Sequence, residues 1–177
     1  MNSLQYAVYK GTGGKFGAIQ FNLQVPHYYK GKEKSFNGKD SNGDWIFEGS
    51  KLKEGWKIRE GAVFMEITST KDKNIYDWEN KIVLALSVND IGKVLLGLLT
   101  GDEVKIMHDP GAKSEAQGTV KKYLTVTSPK GPAVGVLFSA TQTAGGDKRT
   151  HTVPLSGDEV IVLRSLLQQA ISAALNW

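Results

Sequence analysis

Two helix starts in this chain share one pattern, and that repetition constrains the fold more than any other feature. Leu86-Ser87-x-x-Asp90-Ile91 matches Leu155-Ser156-x-x-Glu159-Val160 in residue type and position. A serine with an acid three residues later can satisfy the free N–H groups of a helix start, and the carboxylate suits its positive end. Ser156-Gly157-Asp158-Glu159 is a full capping-box pattern, while at Ser87 the acid Asp90 is placed for its charge. Apolar residues then recur at helical spacing, at Ile91, Val94, Leu95 and Leu98 and again at Val160, Leu163, Leu167, Ala170, Ile171 and Ala174. Gly101 is the expected stop of the first helix.

Four β-branched or alternating runs precede each start. The first set is Leu4–Lys10, Gly17–Tyr28, Lys57–Thr68 and Ile75–Leu86. The second is Glu103–His108, Thr119–Thr127, Val134–Thr143 and Thr150–Pro154. The predicted plan is therefore four strands and a helix, twice, with halves at about 4–101 and 102–177 of a single domain spanning 1–177. Lys30–Gly55 stands apart, because five glycines fall there among Lys, Asn, Asp and Ser. It reads as a long excursion between the second and third strands, with a short strand at Trp45, Ile46 and Phe47. Loops of that length are usually functional or mobile.

Hydrophobic residues make up 40% of the chain, enough for a real core. There is no cysteine, which excludes disulfides, thiolate metal sites and a cysteine nucleophile. The longest aliphatic stretch, Val94–Leu99, falls far below the roughly 20 residues of a membrane span, so no membrane partner is expected. Met1-Asn2-Ser3-Leu4 has neither a basic nor an apolar leader region, which predicts a cytoplasmic protein. The net charge of +4 is concentrated in residues 1–60, which carry ten basic residues against six acids; residues 61–177 are balanced. A local basic excess attracts polyanions, although a solvated lysine-rich surface has the same composition.

Alternation separates the strand faces. Ile19, Phe21, Leu23 and Val25 form an apolar face, opposite Phe16, Ala18, Gln20, Asn22 and Gln24. Val63, Met65 and Ile67 oppose Phe64, Glu66 and Thr68. Val120, Leu124 and Val126 share a face with Lys122, opposite Lys121, Tyr123, Thr125 and Thr127. The polar faces thus mix rings, amides and lysines. Rings stack on unpaired bases, lysines track phosphates, and amides bond base edges that a duplex hides. The other reading is that Phe16, Phe64 and Tyr123 pack under loops or at a subunit interface. Tyr76 and Trp78 alternate with Ile82 and Leu84, which places them on the core face unless a bulge near Glu79-Asn80 reverses it.

No catalytic constellation is visible, and no cofactor or metal is expected. Gly11-Thr12-Gly13-Gly14-Lys15 is not a phosphate loop, since Tyr9 stands where the motif needs Gly and Phe16 where it needs Ser or Thr. A glycine-rich hairpin turn is expected instead, with Lys15 available to a phosphate. His27, His108 and His151 show no paired-ligand spacing.

Several stretches, in order, resemble the Whirly family of single-stranded-DNA-binding proteins. Tyr6-Ala7-Val8-Tyr9-Lys10-Gly11 resembles its first strand and the opening of its Lys-Gly-Lys-Ala-Ala-Leu motif. Arg59-Glu60-Gly61 leads into a strand at Ala62–Thr68. The most specific match is Tyr76-Asp77-Trp78-Glu79-Asn80-Lys81, followed by Leu84-Ala85-Leu86-Ser87 and the helix with Gly92. Then come His108-Asp109-Pro110, Lys113-Ser114, Gly118-x-Val120-x-Lys122-x-Leu124, Val153-Pro154 and a terminal Asn176-Trp177.

The resemblance implies an α+β fold of two four-stranded antiparallel sheets with helices in a duplicated ββββα topology. That fold is similar to the transcription cofactor PC4 and to trypanosome mitochondrial RNA-binding proteins. It implies a homotetramer joined through helices, with single strands lying across the sheets, and a role in DNA maintenance or transcription. The chain departs from the family after Lys10-Gly11 and in its long Lys30–Gly55 segment, and it shows no organelle-targeting peptide. A bacterial or phage relative is the corresponding expectation.

The expected function is non-catalytic binding of single-stranded DNA with weak sequence preference. Lys10, Lys15, Lys57, Arg59, Lys81 and Lys121 would hold phosphates. Phe16, Phe64, Tyr123 and either Tyr76 or Trp78 would stack bases, and Gln20 and Asn22 would touch base edges. The alternatives are an RNA-binding or annealing protein on the same fold, and a protein-interaction module.

Overall fold

The computed structural model describes residues 4–11, 16–110, 120–128 and 135–175. The first half holds β1 (Gln5–Tyr9) and β2 (Gly17–Gln24), then five short strands. These are β3 (His27–Lys30), β4 (Glu33–Ser35), β5 (Phe47–Glu48), β6 (Lys51–Leu52) and β7 (Lys57–Arg59). There follow β8 (Ala62–Asp72), β9 (Ile75–Tyr76), a 3-10 turn at Trp78–Asn80, β10 (Ile82–Leu86) and helix α1 (Val88–Thr100). The second half holds β11 (Val104–His108), β12 (Lys121–Thr127), β13 (Gly135–Ala144), β14 (Asp147–Ser156) and helix α2 (Gly157–Leu175).

Both main sheets are antiparallel and keep the strands in chain order. The first runs β1-β2-β8-β10, with short β9 added as a fifth strand on β8, and the second runs β11-β12-β13-β14. Each sheet is followed by its helix. The predicted strands differ from these at three breaks. The run from Gly17 to Tyr28 stops at Gln24, before Val25-Pro26, because proline has no N–H for the ladder. Lys57–Arg59 belongs to a separate small sheet, and β8 begins only after Glu60-Gly61. A Cβ on Gly61 would lie 2.5 Å from Ala174 Cα, so the close pass of this link against the end of α2 requires glycine. Ile75–Leu86 is broken by the 3-10 turn.

The segment expected as a loop excursion is folded. β4-β3-β7 form a three-stranded sheet and β5-β6 a hairpin, and Ile46 and Trp56 are buried apart from the main core. Tyr28 meets Phe47 edge-on at 5.1 Å. Trp45 pairs with Lys39 through an isolated bridge, so the expected strand starts two residues later, at Phe47. The glycines that read as loop formers turn the chain between strands too short to show a period.

The inner faces of both main sheets and the buried stripes of both helices form one core. Phe21 of β2 and Phe138 of β13 meet there edge-to-face at 5.8 Å, joining the two sheets. His151 of β14 adds a polar tie. Its Nε2 lies 2.8 Å from the Asn80 carbonyl, which only accepts, so Nε2 donates; Nδ1 then accepts from the Ser69 hydroxyl at 2.7 Å.

The reciprocal capping box forms at α1 rather than at α2, where it was expected. The Asp90 N–H donates to Ser87 Oγ at 3.2 Å, and Asp90 Oδ2 accepts from the Ser87 N–H at 3.1 Å. At α2, Glu159 accepts from the Ser156 N–H at 2.8 Å, but Ser156 is still the last residue of β14 and its hydroxyl turns to the Asp158 and Glu159 carboxylates. Gly101 ends α1 at φ 78°, as expected.

Burial works against the Asp90 charge, yet hydrogen bonds from Ser87 and His108 outweigh it and hold this carboxyl below its ordinary value. A folded-state pKa below the unfolded one stabilises at neutral pH, and that contribution disappears as pH falls through the folded value. Asp90→Ala should therefore lower stability by about 1 kcal/mol at neutral pH. The deficit relative to the parent should shrink on acidification. Parallel melting-temperature curves for the two proteins down to strongly acidic pH would refute this account.

Candidate nucleic-acid interface

The outer face of the first sheet follows from the register. Gln5, Asn22, Phe64 and Ala85 lie in one cross-strand row, and Ala7, Gln20, Glu66 and Val83 in the next. Gln20 Nε2 donates to Glu66 Oε2 at 2.7 Å, and Lys81 Nζ reaches the same oxygen at 2.6 Å. Lys81 thus stands at this face but is paired with an acid. Among the described residues, Asn22 has no side-chain hydrogen bond and remains available to a ligand's donors or acceptors.

Beyond the row of Tyr9, Ala18 and Thr68, this face ends in a ring cluster. Tyr9 lies 5.3 Å from Tyr76, and Tyr76 lies 6.5 Å from Trp78. Both Tyr76 and Trp78 are half-buried and neither belongs to the core. The register break that would turn them outward is present as the 3-10 turn. Asp77 fixes that turn, accepting from Asn80 Nδ2 at 2.8 Å with Lys71 at 3.0 Å. The hydrogen bond from Asn80, and then the one from Lys71, hold its carboxyl below the ordinary value.

The outer face of the second sheet carries Met107, Tyr123, Thr141 and Thr150 in one row. Lys105, Thr125, Ser139 and Thr152 flank it on one side, and Lys121, Thr143 and Lys148 on the other. Met107 is 59% and Tyr123 38% exposed. The hydroxyls pair with one another, Thr141 with Thr150 at 2.9 Å and Ser139 with Thr152 at 3.1 Å. Lys105 is tied to Glu103 at 2.6 Å, whereas Lys121 and Lys148 have no ion pair among the described residues.

A cleft of about 490 Å³ lies between the two faces, lined by Phe64, Val83 and Ala85 on one side and Met107, His108, Asp109 and Pro110 on the other. Lys122 closes its floor. It leaves the inner side of β12, where alternation places it, and its Nζ donates to the Val83 carbonyl at 2.7 Å. Burial, and then repulsion from Arg149, push this amine below its ordinary pKa. The two outer faces and the cleft between them thus carry rings, amides and hydroxyls, with Lys121 and Lys148 beside them and the acids Glu66 and Asp109 among them.

The remaining predicted residues fall elsewhere. Lys10 alternates with Tyr6 and Val8, so it points to the helix side, and its Nζ pairs with Glu159 of α2 at 2.8 Å. Lys57 and Arg59 are exposed on β7, in the small sheet and not on the first. Phe16 is exposed just before β2. Lys15, Lys113-Ser114, Gly118 and Asn176-Trp177 lie outside the described residues. Sequence reasoning missed Tyr9, Met107 and Lys148, although strand alternation marks Tyr9 with Gln5 and Ala7, and Met107 with Lys105. Among the described residues, no three His, Asp or Glu side chains are grouped to hold a metal, and no helix is long and apolar enough to cross a membrane.

The model of the Whirly transcription factor family matches residues 47–166. The single-stranded DNA-binding protein WHY2, mitochondrial, of Arabidopsis thaliana is 28% identical over 121 residues, covering 67% of this chain and 50% of that protein. The single-stranded DNA-binding protein WHY1, chloroplastic, of Solanum tuberosum is 29% identical over 122 residues, covering 67% and 43%. The chain therefore aligns to about half the length of these relatives. The solved structure of the plant transcriptional regulator PBF-2 superposes over 100% of this chain and 85% of its own, with a TM-score of 0.73 at 24% identity. Arabidopsis thaliana WHY1 superposes at a TM-score of 0.72 and 20% identity, covering 100% of this chain and 93% of its own. These two likenesses establish the fold. The expectation of a cytoplasmic protein with bacterial or phage kin is overturned, because the matched relatives are mitochondrial and chloroplastic plant proteins. With the family model covering more than half of its length, this chain belongs to the Whirly transcription factor family.

Proposed function

We propose that this protein binds single-stranded DNA with weak sequence preference and acts in DNA maintenance or transcription. The observation that carries the reading is the pair of outer faces, Asn22 and Phe64 on one and Tyr123 on the other, with the cleft at Val83 and Met107 between them. Bases stack on Phe64, Tyr123 and the Tyr9–Tyr76–Trp78 cluster, and base edges meet Gln20 and Asn22. Lys121 and Lys148 hold phosphates along the second sheet. Ring stacking tolerates any base, which fits weak sequence preference, and it gains nothing from bases already paired in a duplex. The names of the matched relatives as single-stranded DNA-binding proteins support the same reading.

The working unit is a homotetramer in this reading. Leu96 and Leu99 of α1 and Ile161, Val162 and Leu175 of α2 are exposed, more apolar helix surface than a solitary chain needs to show.

One set of samples tests both parts. Polarisation titrations with single- and double-stranded DNA of one sequence, at two salt concentrations, should show the single strand bound much more tightly and binding weakened by salt. An RNA strand of that sequence should bind more weakly than the DNA. Light scattering should give four chains per particle. Equal affinity for single strand and duplex overturns the binding mode, and a monomer at micromolar concentration overturns the assembly.

A further inference from the structure

The small sheet β4-β3-β7 has two unlike faces. Register places Lys34, Tyr29 and Lys57 in one cross-strand row. Two residues along β3, His27 stands opposite Arg59, with the Phe36 ring 5.3 Å from the His27 ring. His27 is buried, covered by Phe36 and by the Tyr29 ring at 6.4 Å, and Phe36 itself is 52% exposed. The centre of this face is thus aromatic and its flanks are cationic. No acid occupies any of these six positions, and Lys34, Lys57 and Arg59 are exposed without an ion pair among the described residues. On the opposite face Tyr28 packs on Phe47 and, with Ile58, lines an open cavity of about 520 Å³ beside Asn89 of α1 and Ala174 of α2; Ile58 itself is exposed. On the first face the groups open to solvent are Phe36, Lys34, Lys57 and Arg59.

We propose that this cationic, ring-centred face is a second binding platform for single-stranded nucleic acid, separate from the outer faces of the main sheets. Phe36 and Tyr29 supply stacking surfaces, while Lys34, Lys57 and Arg59 border them within reach of a strand's phosphates. Unpaired positive charge beside exposed rings complements a polyanion whose bases are free to stack, which a duplex does not offer. An acidic peptide matches the charge but leaves the rings without a flat partner. The choice of ligand rests on the reading proposed above, while the platform stands on residues that reading does not use for stacking.

The full protein, photocrosslinked to an oligonucleotide carrying 5-iododeoxyuridine, tests this by peptide mapping. Crosslinks within 27–36 together with crosslinks on the main sheets are the expected result. Crosslinks confined to the main sheets overturn the platform and leave the main site standing. Crosslinks confined to the small sheet uphold the platform and overturn the main site. Titration adds a quantitative arm. Phe36→Ala should weaken binding of a long oligothymidine about tenfold with its salt dependence kept. The pair Lys57→Gln and Arg59→Gln should lower the salt slope by about two phosphate contacts. All these side chains are surface groups, and unchanged melting curves would verify folding. Parent-like binding by both variants, or loss of polyglutamate binding with DNA binding intact, would falsify the proposal.

Discussion

Phe138→Ala should cost the fold about 3–5 kcal/mol, as large-to-small changes of fully buried aromatics do. The ring is fully buried and meets Phe21 edge-to-face across the two main sheets. Its loss removes apolar burial and the ring–ring contact together, and helices anchored on both sheets cannot close the gap without moving. In a chain of 177 residues that cost corresponds to a melting temperature lower by roughly 6–20 °C. Phe138→Leu should recover much of it by refilling the space. Well below the melting temperature the alanine variant should still bind single strands, because Phe138 lies on the inner face. A shift under about 1 kcal/mol would mean that the sheets do not rely on this contact.

Phe64→Ala combined with Tyr123→Ala should weaken single-strand binding by about 2–6 kcal/mol, on the usual worth of one stacked base per ring. Phe64 sits on the first sheet at the cleft, and Tyr123 on the second in the same row as Met107. Each is partly exposed, so the double variant should melt close to the parent. Its salt slope should stay nearly constant, since stacking releases no counterions. Lys121→Ala is the contrast. It should weaken binding to every sequence and reduce the salt slope by roughly one phosphate contact. The two kinds of residue fail in different ways, and titrations at several salt concentrations separate them. If Tyr123→Ala unfolds the protein, or if all these variants bind like the parent, the outer faces are not the site.

Much of this surface is legible in the sequence because a strand's two faces alternate with period two. Ile19 and Phe21 against Gln20 and Asn22, and Leu124 and Val126 against Lys121 and Tyr123, could be sorted by that rule alone. The helix starts were legible through their serine–acid spacing. Which start would form the reciprocal box was not, because that depends on whether the serine is released from the preceding strand, as Ser87 is and Ser156 is not. The small sheet was illegible for a related reason. Strands of two to four residues complete no more than two periods, so Lys57 and Arg59 read as the beginning of β8. The pairing of Lys10 is not legible, because sequence places a lysine on a strand but not its distant partner, and Glu159 lies 149 positions away.

The lysine that joins the two sheets at the cleft also bears on solubility. β10 is a terminal strand of its sheet, with backbone groups on its free side, and such a border invites strand addition from another chain. Lys122 takes the Val83 carbonyl there and sets a positive charge at the margin. An arriving strand would have to displace that contact and accept the amine beside its own backbone. A nucleic acid bound there, as proposed above, would meet no such penalty, because its phosphates are attracted to the amine. One residue can therefore leave the border open to a polyanion while discouraging the edge-to-edge association that leads to aggregates.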